Sequence, residues 1–135
     1  EDNVSHRDVF ATILDYLGAR PRPSDGTSLR RFIEKKNLRP GGPEYIVAEN
    51  GKLDQLMVRA GEWKLFIPNR ANSTGMNVLY NTRRDRYEMN NLIGPSNQSL
   101  RKQFLPRANR LKAMLLEWCI RTKSPYIADV RKRKL

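Results

Sequence analysis

The sequence predicts an α+β fold, a small antiparallel sheet of about four strands packed with a long C-terminal helix and preceded by a separate helical segment. Four short runs rich in β-branched and aromatic residues, YIVAE, QLMVRA, EWKLFI and NVLYN, follow one another with brief connections, which favours antiparallel pairing of neighbours. Leu100, Phe104, Ala108, Leu111, Leu115 and Trp118 then recur every three or four residues and place an apolar stripe along one long helix. A shorter stripe near the N-terminus has its own start and stop signals.

That first stripe runs through HRDVFATILDYL. Ser5 is suited to the N-cap, and Asp8, three residues later, stands where a capping box has its acidic partner. Val9, Ile13, Tyr16 and Leu17 follow helical spacing, Phe10 and Leu14 widen the stripe, and Gly18 suits the left-handed residue beyond the end. Pro21, Pro23 and the Asp25-Gly26 dipeptide then turn the chain. A second helical piece is expected through SLRRFIEKK, capped by Ser28 or Thr27. RPGGP breaks the pattern before the strands begin. In EWKLF, Trp63 and Leu65 face one side of the sheet and Lys64 and Phe66 the other, so neither face is wholly polar and both should be at least partly covered. The last helix is expected to begin near Ser96 and to kink or restart at Pro106, and the tail DVRKRKL reads as a solvated basic end.

At 135 residues the chain has the size of one ordinary domain and can build one core. Hydrophobic residues make up 39% of it, a globular composition, although a mean hydropathy of −0.72 is polar for a chain with its own core. Twenty-six Lys and Arg against fourteen Asp and Glu give a net charge of +12, a field that draws polyanions: nucleic acid, an anionic membrane surface or a sulfated sugar. No apolar run reaches the length of a membrane span, and the opening EDNVSHRDVF lacks the plan of a signal peptide, so the chain reads as cut from something longer. Cys119, the single cysteine, excludes an internal disulfide, a cysteine zinc cluster and a CxxC redox pair, and in LLEWCIR it reads as a buried helix residue.

No catalytic constellation is legible. One histidine allows no His-His metal pair, and HExxH, GxSxG and a glycine-rich phosphate loop are all missing. Asp85 and Glu88 lie close together in a turn, where carboxylates cap backbone N–H groups. His6, in the first turn of the first helix, is the candidate for contact with an anionic substrate. No catalytic residue and no metal ligand is assigned. Trp63 and Trp118 fall on expected core faces, which disfavours a stacking platform for nucleic acid. A basic module binding nucleic acid or a sulfated glycan stays open on these grounds.

The order of motifs adds a family resemblance. VSHRDVFATILDYLGARPRPSDGTSLRRFI resembles the segment near the end of the sulfatase catalytic domain, with a pattern like vSHxDxxPTxLxxxG, a proline-containing turn and DGxSLxxxL. Ser5, His6, Asp8, Thr12, Leu14, Gly18, Asp25, Gly26, Ser28 and Leu29 match in register, and Ala11 replaces the usual proline. VRAGEWKLF looks like the family's hairpin with its aromatic-Lys pair, here Trp63 and Lys64. VLYNTRRDRYEMNNL is similar to LYDLxxDPxExxNL: Leu79, Tyr80, Asp85, Glu88, Asn91 and Leu92 are kept, while Asn81 and Arg86 replace Asp and Pro. The likeness covers nearly all of residues 4 to 120.

The resemblance implies a C-terminal portion of a sulfatase, of the alkaline-phosphatase-like superfamily: residues 1–38 as the last helical segment of the catalytic α/β domain and 39–135 as the C-terminal α+β subdomain. It implies that the catalytic centre, with its calcium ion and the formylglycine made from a C/S-x-P-S-R motif, lies outside this chain, since Cys119 is followed by Ile120 and Arg121. The implied partners are the missing catalytic domain and a sulfated polysaccharide. A phosphodiesterase or phosphonate hydrolase of the same superfamily is the related alternative. The resemblance also implies a periplasmic or secreted protein, inactive as this chain alone, whose first helix exposes an apolar stripe and invites self-association.

Overall fold

The computed structural model describes residues 4–19, 26–35, 44–96 and 98–135. Two compact units divide the chain, Glu1–Ile46 and Val47–Leu135.

In the first unit α1 spans His6–Tyr16. The Ser5 side chain accepts from the first turn while the Asp8 carboxylate accepts from the Ser5 N–H at 2.7 Å, a complete capping box. Gly18 takes the left-handed conformation at φ +61°, as its place beyond the helix requires. The short α2 covers Arg30–Glu34. Its N-cap is Leu29, not Ser28 or Thr27, because the Leu29 N–H is already held by the Thr12 hydroxyl and the Ser28 hydroxyl donates to Asp15. Ser28 Oγ still accepts from the Arg30 N–H at 3.2 Å. Asp25 lies outside the described residues.

The second unit is a four-stranded antiparallel meander in sequence order: β1 Ile46–Asn50, β2 Gln55–Ala60, β3 Trp63–Pro68 and β4 Val78–Asn81. The register of β3 sets Leu65 between Val58 and Leu79, and alternation puts Leu56, Val58, Leu65, Ile67 and Leu79 on one face. All five are wholly buried. Over them lies α3, Gln98–Arg121, contributing buried Ala108, Leu111, Leu115 and Cys119. Truncating a side chain such as Leu115 in a core of this kind costs about 2–5 kcal/mol. Trp63 meets Phe104 with ring centroids 5.6 Å apart, which ties the start of β3 to the first half of α3. Cys119 is wholly buried and packs as a small hydrophobe, and burial pushes its thiol up.

Two expectations are corrected. The long helix does not restart at Pro106 but runs through it unbroken. Proline removes one bond to the carbonyl of Lys102, and since both residues are exposed, water can satisfy that group. The tail is not a loose basic end either. Ile127–Lys132 form a further helix, α4, whose Val130 is wholly buried. Arg133, just beyond, donates from Nε to Asn77 Oδ1 at 2.9 Å and from Nη1 to the carbonyls of Ala71 and Ser73, and its Nη2 donates to the carbonyl of Gly75. Asp129 accepts from the Ala71 N–H, and Asn77 donates to the carbonyl of Lys134. The planar guanidinium thus gathers a loop whose carbonyls have no strand partner.

Arg133→Ala should cost the folded chain about 2 kcal/mol or more, because several carbonyls lose a charge-assisted donor at once. A urea midpoint unchanged from wild type would show that the tail is held by Val130 alone.

Candidate functional site

The motif residues of the first unit converge on one backbone crossing. Gly26 lies so close to α1 that an added Cβ would sit 2.1 Å from the Arg7 carbonyl oxygen and 2.8 Å from the Asp8 nitrogen. Only a residue without a side chain fits there. Asp8 uses one carboxylate oxygen on the Ser5 N–H and the other on the Thr27 N–H at 2.9 Å. Buried Thr12 donates to the Asp8 carbonyl at 2.6 Å and accepts from the Leu29 N–H at 2.9 Å. Ser28 donates to Asp15 at 2.5 Å, and Arg30 reaches the Asp15 carbonyl and lies over the Tyr16 ring. Its hydrogen bond to Glu34, with Asp15 behind it, raises the Arg30 guanidinium above its ordinary range. Asp8, Thr12, Gly26 and Ser28 are therefore one interlock of helix start and returning loop. His6 stands outside it, exposed at the first residue of α1.

The apolar stripe of α1 is only half covered: Val9, Phe10 and Ile13 are each 50–52% exposed and Leu17 is 74% exposed.

In the second unit the motif residues gather at the exit of β4. Asp85 accepts from the N–H groups of Met89 at 3.1 Å and Asn90 at 2.7 Å. Those backbone donors, Asn90 first, hold its carboxyl below the usual range. Glu88 has a different part, pairing with Lys64 at 2.7 Å from a left-handed backbone of φ +56°. Lys64 and Phe66 lie on the sheet face away from α3, with Lys64 5.0 Å from the Phe66 ring and Tyr80 edge-on to that ring. Burial pushes the Tyr80 hydroxyl up, and Glu88 and Asp85 add to the shift. Asn91 accepts from the Leu79 and Ile93 N–H groups at 3.1 Å and donates to the Asn77 carbonyl, while the Leu92 N–H donates to the Leu79 carbonyl. Asn81, where the resemblance has Asp, accepts from the N–H groups of Arg83 and Arg84 and donates to Glu62.

Two concavities flank these residues. The larger, of about 690 Å³, opens on the outer sheet face with Met57, Phe66 and Lys64 beneath the β1–β2 hairpin. The smaller, of about 180 Å³, lies between Trp63, Phe104 and Leu92, with Arg84 and Asn90 lining it. Arg107 stands 5.3 Å from the Trp63 ring. Spacing alone does not single out Arg107 or Arg133, whose partners are distant in sequence, or Arg84, which lines the smaller concavity.

No family model matches the chain, and no curated protein matches it. Solved structures do share its fold. BT4656, determined with its substrate D-glucosamine-2-N,6-O-disulfate, gives a TM-score of 0.62 at 22% identity, over 87% of this chain and 24% of that one. BT33336S-sulf, from glycosaminoglycan metabolism by Bacteroides thetaiotaomicron, gives 0.52 at 24% identity over 80% of this chain and 23% of its own. YidJ of Bacteroides fragilis, assigned as a sulfatase, gives 0.61 at 16% identity over 95% and 26%. The chain spans about a quarter of the length of these proteins. The architecture expected from the sulfatase motifs is thus the architecture the chain has.

Two outcomes follow from the geometry. Gly26→Ala should destabilise the first unit by about 1–3 kcal/mol, since backbone has to move to admit the Cβ; unaltered hydrogen exchange of the α1 amides would contradict the interlock. For Asp85, the lowered folded pKa means a contribution present above the ordinary aspartate range and lost as pH falls through the folded value. Asp85→Asn should therefore lower the urea midpoint at neutral pH, with the gap closing in acid; a gap that persists in acid would refute this.

Proposed function

We propose that the chain is the C-terminal portion of a sulfatase, with sulfate-ester hydrolysis carried by an α/β catalytic portion outside these residues and the sheet module closing one wall of the substrate cleft. One observation carries the reading. The residues matching the sulfatase motifs do connected structural work, joining α1 to the DG loop and β4 to its exit, in a chain whose fold is shared with sulfatase structures.

Assigning the chemistry outside rests on the resemblance: the C/S-x-P-S-R motif that it implies has no counterpart at Cys119, which is followed by Ile120 and Arg121. In this proposal calcium and formylglycine belong to the catalytic portion. The role of the present residues is positional: the interlock fixes the direction in which the chain leaves α1, and the half-exposed stripe of Val9, Phe10, Ile13 and Leu17 is the face that the catalytic sheet covers. The net charge of +12 attracts a sulfated glycan at long range, an attraction that salt weakens. A periplasmic or extracellular location goes with the same reading. Among the described residues no helix is long and apolar enough to cross a membrane.

The test is to express the chain with and without the reading frame upstream of Glu1 and to assay both on an aryl sulfate and a sulfated disaccharide. The longer protein is expected to release sulfate and the chain alone to release none. Chelator-sensitive turnover by the chain alone, or an upstream frame without a C/S-x-P-S-R motif, would overturn the proposal.

A further inference from the structure

The concavity between Trp63 and Phe104 lies in the second unit. Its walls are two aromatic rings and Leu92, and Asn81, Arg84, Asp85 and Asn90 line its polar side. The polar groups nearest Arg84 are already committed. Asn81 spends its amide on Glu62 and on the N–H groups of Arg83 and Arg84, and both Asp85 oxygens accept backbone N–H groups. Among the described residues the exposed Arg84 guanidinium has no carboxylate partner. Apolar ring walls beside a free planar cation suit a ligand that is itself a ring with an anionic substituent.

Size and shape narrow the class. About 180 Å³ admits one sugar ring, not a helical segment of a protein. The two aromatic rings already touch, 5.6 Å apart and tilted at 42°, so a ligand ring rests on them from one side and does not insert between them. The C–H face of a pyranose can pack in that way. We propose that this concavity binds a single sulfated sugar ring of a longer glycan, with the ring against Trp63 and Phe104, a sulfate on Arg84, and a hydroxyl on the Asn90 side chain. The choice of sulfate over another anion rests on the proposed sulfatase reading; the site itself rests on the concavity.

Trp63 is the reporter. In the full chain carrying Trp118→Phe, which leaves Trp63 as the single indole, a heparin-derived tetrasaccharide should change the fluorescence saturably. Its fully desulfated counterpart should not. Arg84→Gln should weaken binding about tenfold, the effect of losing one charge-assisted pair, and Arg84→Lys less, whereas Arg121→Gln at the far end of α3 should leave it unaltered. Equal weakening by Arg84→Gln and Arg121→Gln would reduce the effect to general charge and overturn the site. So would an equally tight response to a single-stranded oligonucleotide of matched charge, or no saturable response at all. Failure here with sulfate release by the longer protein would remove the site and leave the sulfatase reading intact; saturable binding with no catalytic frame upstream would do the reverse.

Discussion

Five side chains buried to completion, Leu56, Val58, Leu65, Ile67 and Leu79, require a cover, and the Ala108, Leu111, Leu115 and Cys119 stripe of α3 provides it. A sheet of four short strands has too little backbone pairing to stand by itself in water, so packing under one helix is the constraint to which the rest of the second unit conforms. The tail follows from it: α4 lays Val130 into the same core, and Arg133 then reaches the carbonyls of the loop between β3 and β4. Lys112 contributes from α3 itself, donating to the carbonyls of Arg131 and Arg133, and burial lowers its pKa below the ordinary lysine range.

Outside that core, side chains take over what regular structure leaves undone. Asp8 and Thr12 serve backbone N–H groups of a loop nearly twenty residues away, Asp85 serves those beyond β4, and Asn91 serves one within β4 and one beyond it. Each bond replaces water on an N–H group and contributes modestly, roughly 1 kcal/mol, but removing one member leaves a donor stranded and costs more than the bond gave. This asymmetry explains why the chain uses short polar residues at these positions: Asn, Asp and Thr reach backbone within a turn with few rotors to order.

Periodicity made the four strands, α1 and the buried half of α3 legible, because alternation in QLMVRA and three-to-four spacing from Ala108 to Leu115 report burial directly. The capping box at Ser5 and Asp8 was equally local. What escaped depends on contacts distant in sequence. The charges of RKRKL hide a helix and an anchor, since nothing local indicates that Asn77 and the carbonyls of Ala71 and Ser73 wait for Arg133. Ser28 looked like a cap for the same reason, its bond to Asp15 being invisible locally. The role of Glu88 in pairing with Lys64 also required the register of β3 and β4.

Asn91 has a consequence for how copies of the chain meet. An outer strand ordinarily offers a row of unused amides and carbonyls to any passing extended segment. On β4 that row is occupied: the Leu79 amide by the Asn91 side chain, the Leu79 carbonyl by Leu92, the Asn77 carbonyl by Asn91 again, and the Asn81 carbonyl by Arg84 and Asp85. The sheet is thereby polar in its capacity to grow. A foreign strand finds little template beside β4, which makes β1 the more open margin for ribbon-like polymerisation.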